Sequence, residues 1–90
     1  MTKTIHVIVS GKVQGVFFRA NTKQEAIKRS VTGWVRNTSD GKVEAVFQGK
    51  AAAVDDLVNW CYQGSPASRV ENVSIEPVDD GPYDKFSIRY

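Results

Sequence analysis

What most constrains this chain is the close alternation of strand and helix patterns from one end to the other. No repeat, low-complexity tract or linker interrupts it. Thr4 to Ser10 (TIHVIVS) is β-branched and nearly all apolar, as a central buried strand would be. Gly11 to Arg19 is a glycine-punctuated loop. Thr22 with Glu25, or Asn21 with Gln24, has capping-box spacing and predicts a helix start there. Ala26, Ile27, Ser30 and Val31 then mark its buried face, and Gly33 is its expected C-cap. Trp34 to Thr38 reads as a second strand. Ser39-Asp40-Gly41 is a hairpin turn, because Asp-Gly tolerates the positive φ angles of a tight reversal. Lys42 to Gln48 alternates, with Val43, Ala45 and Phe47 on one face.

Ala51 to Gln63 is the second helix, with Val54, Leu57, Val58 and Cys61 in a stripe at i, i+3, i+4 and i+7. Gly64-Ser65-Pro66 stops it. Arg69 to Val78 carries Val73 and Ile75 in strand register, and Pro77 marks an edge or exit. Asp79-Asp80-Gly81-Pro82 is a turn. Lys85 to Tyr90 alternates again through Phe86, Ile88 and Tyr90. The order β-α-β-β-α-β, plus a last short strand, is the split βαβ pattern of a ferredoxin-like α/β sandwich. The fold class is therefore α+β, a mostly antiparallel sheet with two helices on one face. That architecture hosts many activities and by itself names none.

A length of 90 residues is that of one domain, spanning 1–90. The formal net charge of +2 and the scattered Lys and Arg argue for neither nucleic acid nor a membrane as partner. One cysteine excludes an internal disulfide and a multi-cysteine metal site. The apolar stretch from Ile5 to Val9 is shorter than a signal-peptide core, and nothing approaches a membrane span. The expectation is a cytoplasmic, monomeric protein.

Two segments carry chemistry. Gly11-Lys12-Val13-Gln14-Gly15-Val16-Phe17-Phe18-Arg19 joins a strand to a helix N-terminus. Free amides and the helix dipole make such a junction an anion site. Gly11 and Gly15 let the backbone curl so that amides converge, and Arg19 adds a planar fork of donors for a phosphoryl group. The spacing is neither a Walker A loop nor a dinucleotide fingerprint. On chemistry alone, an ordinary glycine turn with a surface arginine is the favoured reading. Gly33-Trp34-Val35-Arg36-Asn37-Thr38-Ser39-Asp40-Gly41 places an asparagine in or beside a strand, where it is disfavoured. Its carboxamide could orient a water, or simply bond its own hairpin.

Together, G-K-V-Q-G-V-F-F-R and G-W-V-R-N-x-x-D-G-x-V-E resemble the two signature stretches of the acylphosphatase family in order, spacing and residue type. The likeness extends over nearly the whole chain, through Ala26, Gly49, Trp60, the Gly64–Val70 helix exit and Phe86-Ser87-Ile88. Arg29-Ser30-Val31 departs from the Leu-Gly-Leu type stretch common in the family, a change that bears on packing rather than chemistry. The resemblance implies hydrolysis of acyl phosphates to a carboxylate and inorganic phosphate, without metal, cofactor or covalent intermediate. Arg19 and the backbone amides of Val13, Gln14, Gly15, Val16, Phe17 and Phe18 would hold the phosphoryl group. Asn37 would place the attacking water. The partners implied are a small acyl phosphate and inorganic phosphate, the latter as product and competitive ligand.

Other residues read as structural. His6 belongs to the sheet, Cys61 to the apolar stripe, and Trp34 and Trp60 to the core or sheet cover. Asp55-Asp56 and Asp79-Asp80 lack His or Cys companions for a metal site. Of Phe17 and Phe18, one lines the site mouth and one packs beneath the loop. Two alternatives remain: a ferredoxin-like module that binds RNA or another anion without catalysis, and a regulatory or inactive acylphosphatase-like domain that keeps the fold and the anion pocket.

Overall fold

In the computed structural model, which describes residues Met1–Tyr90, the N-terminal β-branched run forms strand β1, Thr2–Lys12. Helix α1 follows at Phe18–Lys28, then strands β2 (Thr32–Asn37) and β3 (Val43–Lys50). Helix α2 spans Ala51–Gln63, and strands β4 (Arg69–Pro77) and β5 (Phe86–Arg89) complete the chain. The sheet order is β4-β1-β3-β2-β5. All pairs are antiparallel except β2 with β5, which is parallel. This is the expected α+β sandwich, with Pro77 on an edge strand as its missing N–H requires.

The core lies between the helices and one sheet face. Ile5, Val7 and Val9 of β1, Val43, Ala45 and Phe47 of β3, and Val54, Leu57, Val58 and Cys61 of α2 all join it. The α2 stripe and the β3 alternation are therefore those expected from periodicity. β1 differs from its reading as a strand buried on both faces. Its alternate residues Thr4, His6 and Ile8 stay half-buried on the opposite face. Burial on one face is what an antiparallel sheet with helices on one side allows.

α1 departs most from its sequence signals. It begins at Phe18, so both capping-box pairs lie inside the helix. The Thr22 hydroxyl donates to the Phe18 carbonyl at 2.8 Å and the Asn21 carboxamide to that of Phe17, also at 2.8 Å. Both are backward bonds within the first turns, not caps. Burial of Phe18, whose ring lies 5.4 Å from that of Trp60, sets the start instead. The buried face is Phe18, Thr22 and Ala26, while Ile27 is 60% exposed.

α1 also ends earlier than expected. Val31 N–H donates to Ala26 O (2.9 Å) and Ser30 N–H to Ile27 O (3.1 Å). That bond pair is a Schellman motif, with Ser30 at φ 56° where glycine is usual. Gly33 is not the cap. It sits in β2 at φ 131°, and a Cβ there would lie 1.9 Å from the Val46 carbonyl oxygen. Its hydrogen is what lets β2 approach β3. No helix is long and apolar enough to cross a membrane.

Candidate functional site

The β1–α1 loop begins where β1 leaves the sheet. Gly11 stands inside β1 at an irregularity of pairing with β4, so of the two loop glycines expected, only Gly15 lies in the loop. Gly15 has φ 73° and a Cβ would meet nothing, so its backbone conformation, not crowding, selects glycine. Phe17 is the N-cap of α1 at φ 61°, ψ 24°, a strained conformation for a bulky residue. The strain turns the chain sharply into the helix. Val13, Val16 and Phe18 are buried and anchor the loop from below, while Phe17 is 78% exposed at its lip. The two phenylalanines thus divide the roles as expected.

No turn or loop backbone hydrogen bond has its donor between Val13 and Phe18. These N–H groups, at the N-terminus of α1, form a field of unused donors. Arg19, expected at the end of the loop, is instead in the first turn of α1. Its guanidinium takes part in none of the ion pairs of the molecule. It rests on the Tyr90 ring, 5.0 Å from the centroid, a contact that limits its orientation without neutralising it.

Asn37 ends β2 and pairs with Val43 of β3. Its Oδ1 is buried and has no hydrogen-bond partner. Such an atom costs free energy unless a ligand or water satisfies it. It rules out the reading of Asn37 as a hairpin residue spending that oxygen on its own turn. The turn is closed by Thr38 N–H to Lys42 O at 2.9 Å, and by Lys42 N–H to the Thr38 hydroxyl at 3.0 Å.

The structure brings Arg19 and Asn37 into one cleft of about 260 Å³, lined also by Val13, Gly15, Phe17, Phe18, Ala20, Ile88 and Tyr90. Of the expected loop residues, Gln14 and Val16 do not line it. Gln14 turns its side chain to the hairpin, where Nε2 donates to Thr38 O and Lys42 O, each at 2.8 Å. The Val16 carbonyl accepts from the buried Ser65 hydroxyl at 2.8 Å.

The acylphosphatase family model matches residues 5–88 of the chain. The chain belongs to the acylphosphatase family. It is 59% identical to an acylphosphatase of Rubrobacter xylanophilus over 75 residues, 83% of this chain and 68% of that one. It is 54% identical to one of Natronomonas pharaonis over 84 residues, 93% of this chain and 91% of its relative. The solved structure of an acylphosphatase from Coxiella burnetii superposes with a TM-score of 0.94 at 42% identity, covering 98% and 93% of the two chains.

Within this acylphosphatase fold, several neighbours of the cleft escape sequence reasoning. Ser65, Ile88, Tyr90 and the side chain of Gln14, a residue expected only for its backbone amide, touch or brace it, yet Ser65 lies 49 residues from the Val16 carbonyl it holds. No local signal joins residues so far apart. His6, set aside above, lies outside the cleft with Nε2 2.6 Å from Glu44 Oε2. Arg36 Nε donates to the other oxygen of Glu44 at 2.6 Å. Burial raises the Glu44 pKa, but hydrogen bonds to His6 and Arg36 outweigh it and hold the carboxyl below its ordinary range. Cys61 is a buried thiol, pushed up to about 12 by desolvation, so it is no nucleophile at neutral pH.

Proposed function

We propose that acyl phosphate hydrolysis takes place in this cleft, with Arg19 and the Val13–Phe18 amides holding the phosphoryl group and Asn37 placing the water. The observation that carries the reading is the unsatisfied, buried Asn37 Oδ1 in a cleft that also holds an unpaired guanidinium. The oxygen can accept one water proton and aim the water lone pair at phosphorus. As the new phosphorus–oxygen bond forms, the bond to the carboxyl oxygen breaks and the carboxylate departs with its electron pair. The water proton passes to a phosphate oxygen of the substrate, because an amide takes none. The leaving carboxylate is a weak base, with a conjugate-acid pKa of roughly 4, and needs no general acid. Arg19 and the amides meet the charge that spreads over the equatorial oxygens, so the reaction is read as metal-independent.

The exposed aromatics of an RNA-binding sheet are not matched by this one. On the face away from the helices, Trp34 is only 8% exposed. The Arg89 guanidinium lies 4.5 Å from its ring centroid, and its indole N–H donates to the Tyr83 hydroxyl at 3.3 Å. This favours a small-molecule substrate over nucleic acid. Core residues come from every element, which supports reading the chain as one domain. Its large exposed apolar side chains, such as Ile27, Tyr62 and Ile75, come from three different elements, which supports a monomer. A buried free thiol suits a reducing cytoplasm.

The test is hydrolysis of benzoyl phosphate with chelator present. Arg19→Ala should abolish turnover and inhibition by inorganic phosphate together. Asn37→Ala should lower kcat by roughly 10²–10³ while phosphate still inhibits. Near-normal kcat in Asn37→Ala would overturn the water-placing role.

A further inference from the structure

The two halves of the cleft belong to different parts of the chain. The cradle is the β1–α1 loop, whereas Asn37 ends β2 at the β2–β3 hairpin. In-line attack tolerates little error between them, since the water must sit on the axis through phosphorus and the leaving oxygen.

Gln14 joins these halves directly. It sits in the loop next to Gly15, and Nε2 uses both hydrogens on the hairpin base, to Thr38 O and to Lys42 O at 2.8 Å each. Those acceptors lie on opposite sides of the hairpin. Thr38 N–H also donates to Lys42 O at 2.9 Å, so all three residues form one hydrogen-bonded knot. Thr38 is the residue after Asn37. The loop is held on its other side by the Ser65 hydroxyl bonded to Val16 O. A carboxamide fits this post: its two hydrogens diverge from one nitrogen, and it adds no charge near the phosphoryl group. A carboxylate would place a third acceptor against two carbonyl oxygens.

We propose that the Gln14 side chain is a positioning group that sets the distance and angle between the phosphoryl cradle and the Asn37 carboxamide, and so controls turnover without its own carboxamide touching substrate. The proposal rests on the water-placing role given to Asn37 above. Gln14 then acts through Asn37. Its loss displaces the hairpin base relative to the loop and leaves the cradle amides and Arg19 to bind phosphate as before.

The experiment is a double-mutant cycle on kcat for benzoyl phosphate, with the inhibition constant of inorganic phosphate and a thermal melt for each variant. Gln14→Met keeps the bulk of the side chain and removes both donors, and Gln14→Ala serves as a second variant. Each should lower kcat by roughly ten- to a hundredfold, the effect of a displacement near one ångström. The phosphate constant should change by less than about threefold, the melt should show a folded protein, and the same substitution in an Asn37→Ala background should lower kcat by less than about threefold. Equal losses in both backgrounds would overturn the proposal while leaving the role of Asn37 intact. So would a rise in the phosphate constant with kcat unchanged, because Gln14 would then serve the cradle alone. Near-normal kcat for Asn37→Ala would remove the functional reading itself, and the proposal with it.

Discussion

Asn37 and Arg19 show how much a site depends on groups that lack partners. The Asn37 oxygen is buried without a donor, and the Arg19 guanidinium has no carboxylate within reach. A carboxylate beside Arg19 would compete with the phosphoryl group for its donors. The same reasoning separates two substitutions of Asn37. Asn37→Ala removes the acceptor and leaves the charge of the cleft unchanged. Asn37→Asp keeps the shape but places an anion next to an anionic ligand, which at close range costs well over a kcal/mol. The expected result is an inhibition constant for phosphate at least about tenfold higher for Asn37→Asp than for Asn37→Ala at pH 7, measured side by side. Equal constants would mean that this side chain does not face the phosphoryl group.

At the scale of elements, α1 is the instructive case. Its residues show two capping boxes, and neither caps. Propensity and local hydrogen bonds lose to the burial of Phe18, which drags the start forward and places Arg19 in the first turn. At the other end, Ser30 takes the left-handed position of a Schellman motif, where glycine is usual. A non-glycine residue there is strained by roughly 1 kcal/mol. Ser30→Gly should therefore raise stability by about 0.5–1 kcal/mol, offset in part by the freer unfolded chain. For an m-value of about 1 kcal/mol/M, the urea midpoint should rise by roughly 0.5–1 M, with kcat unchanged. A lower midpoint would show that the unfolded-state term dominates.

Across the whole molecule, the sheet separates a reactive end from a braced outer face. On that face Glu44 of β3 binds His6 of β1 and Arg36 of β2, tying three adjacent strands. Its folded pKa lies below the unfolded value because those bonds favour the carboxylate over the burial that opposes it. The unfolded chain therefore binds the proton first as pH falls. The contribution of Glu44 is full above an unfolded pKa of about 4.3 and is lost as pH drops through the lower folded value. Glu44→Gln should be less stable than wild type in urea at pH 7, and the gap should close on acidification towards pH 3. A gap that stays constant would mean that the carboxylate charge contributes nothing.

The sequence by itself determined the element order, the α2 stripe, the β3 alternation and the hairpin at Asp40-Gly41. Each is a local periodicity or turn requirement that neighbouring residues settle among themselves. It also singled out Arg19 and Asn37, through the resemblance of their two stretches to the acylphosphatase signatures rather than through either residue alone. Only the tertiary structure decided where α1 begins and ends, that Gly33 admits β3 rather than capping a helix, and that Gly11 belongs to a strand. It alone revealed that Gln14 spans to the carbonyls of Thr38 and Lys42, and that the Asn37 oxygen is left without a donor. Most of those facts depend on contacts between separate segments, such as Gln14 with Thr38, Val16 with Ser65 and Gly33 with Val46. Burial and strand approach fix them, and no local pattern in the chain encodes either.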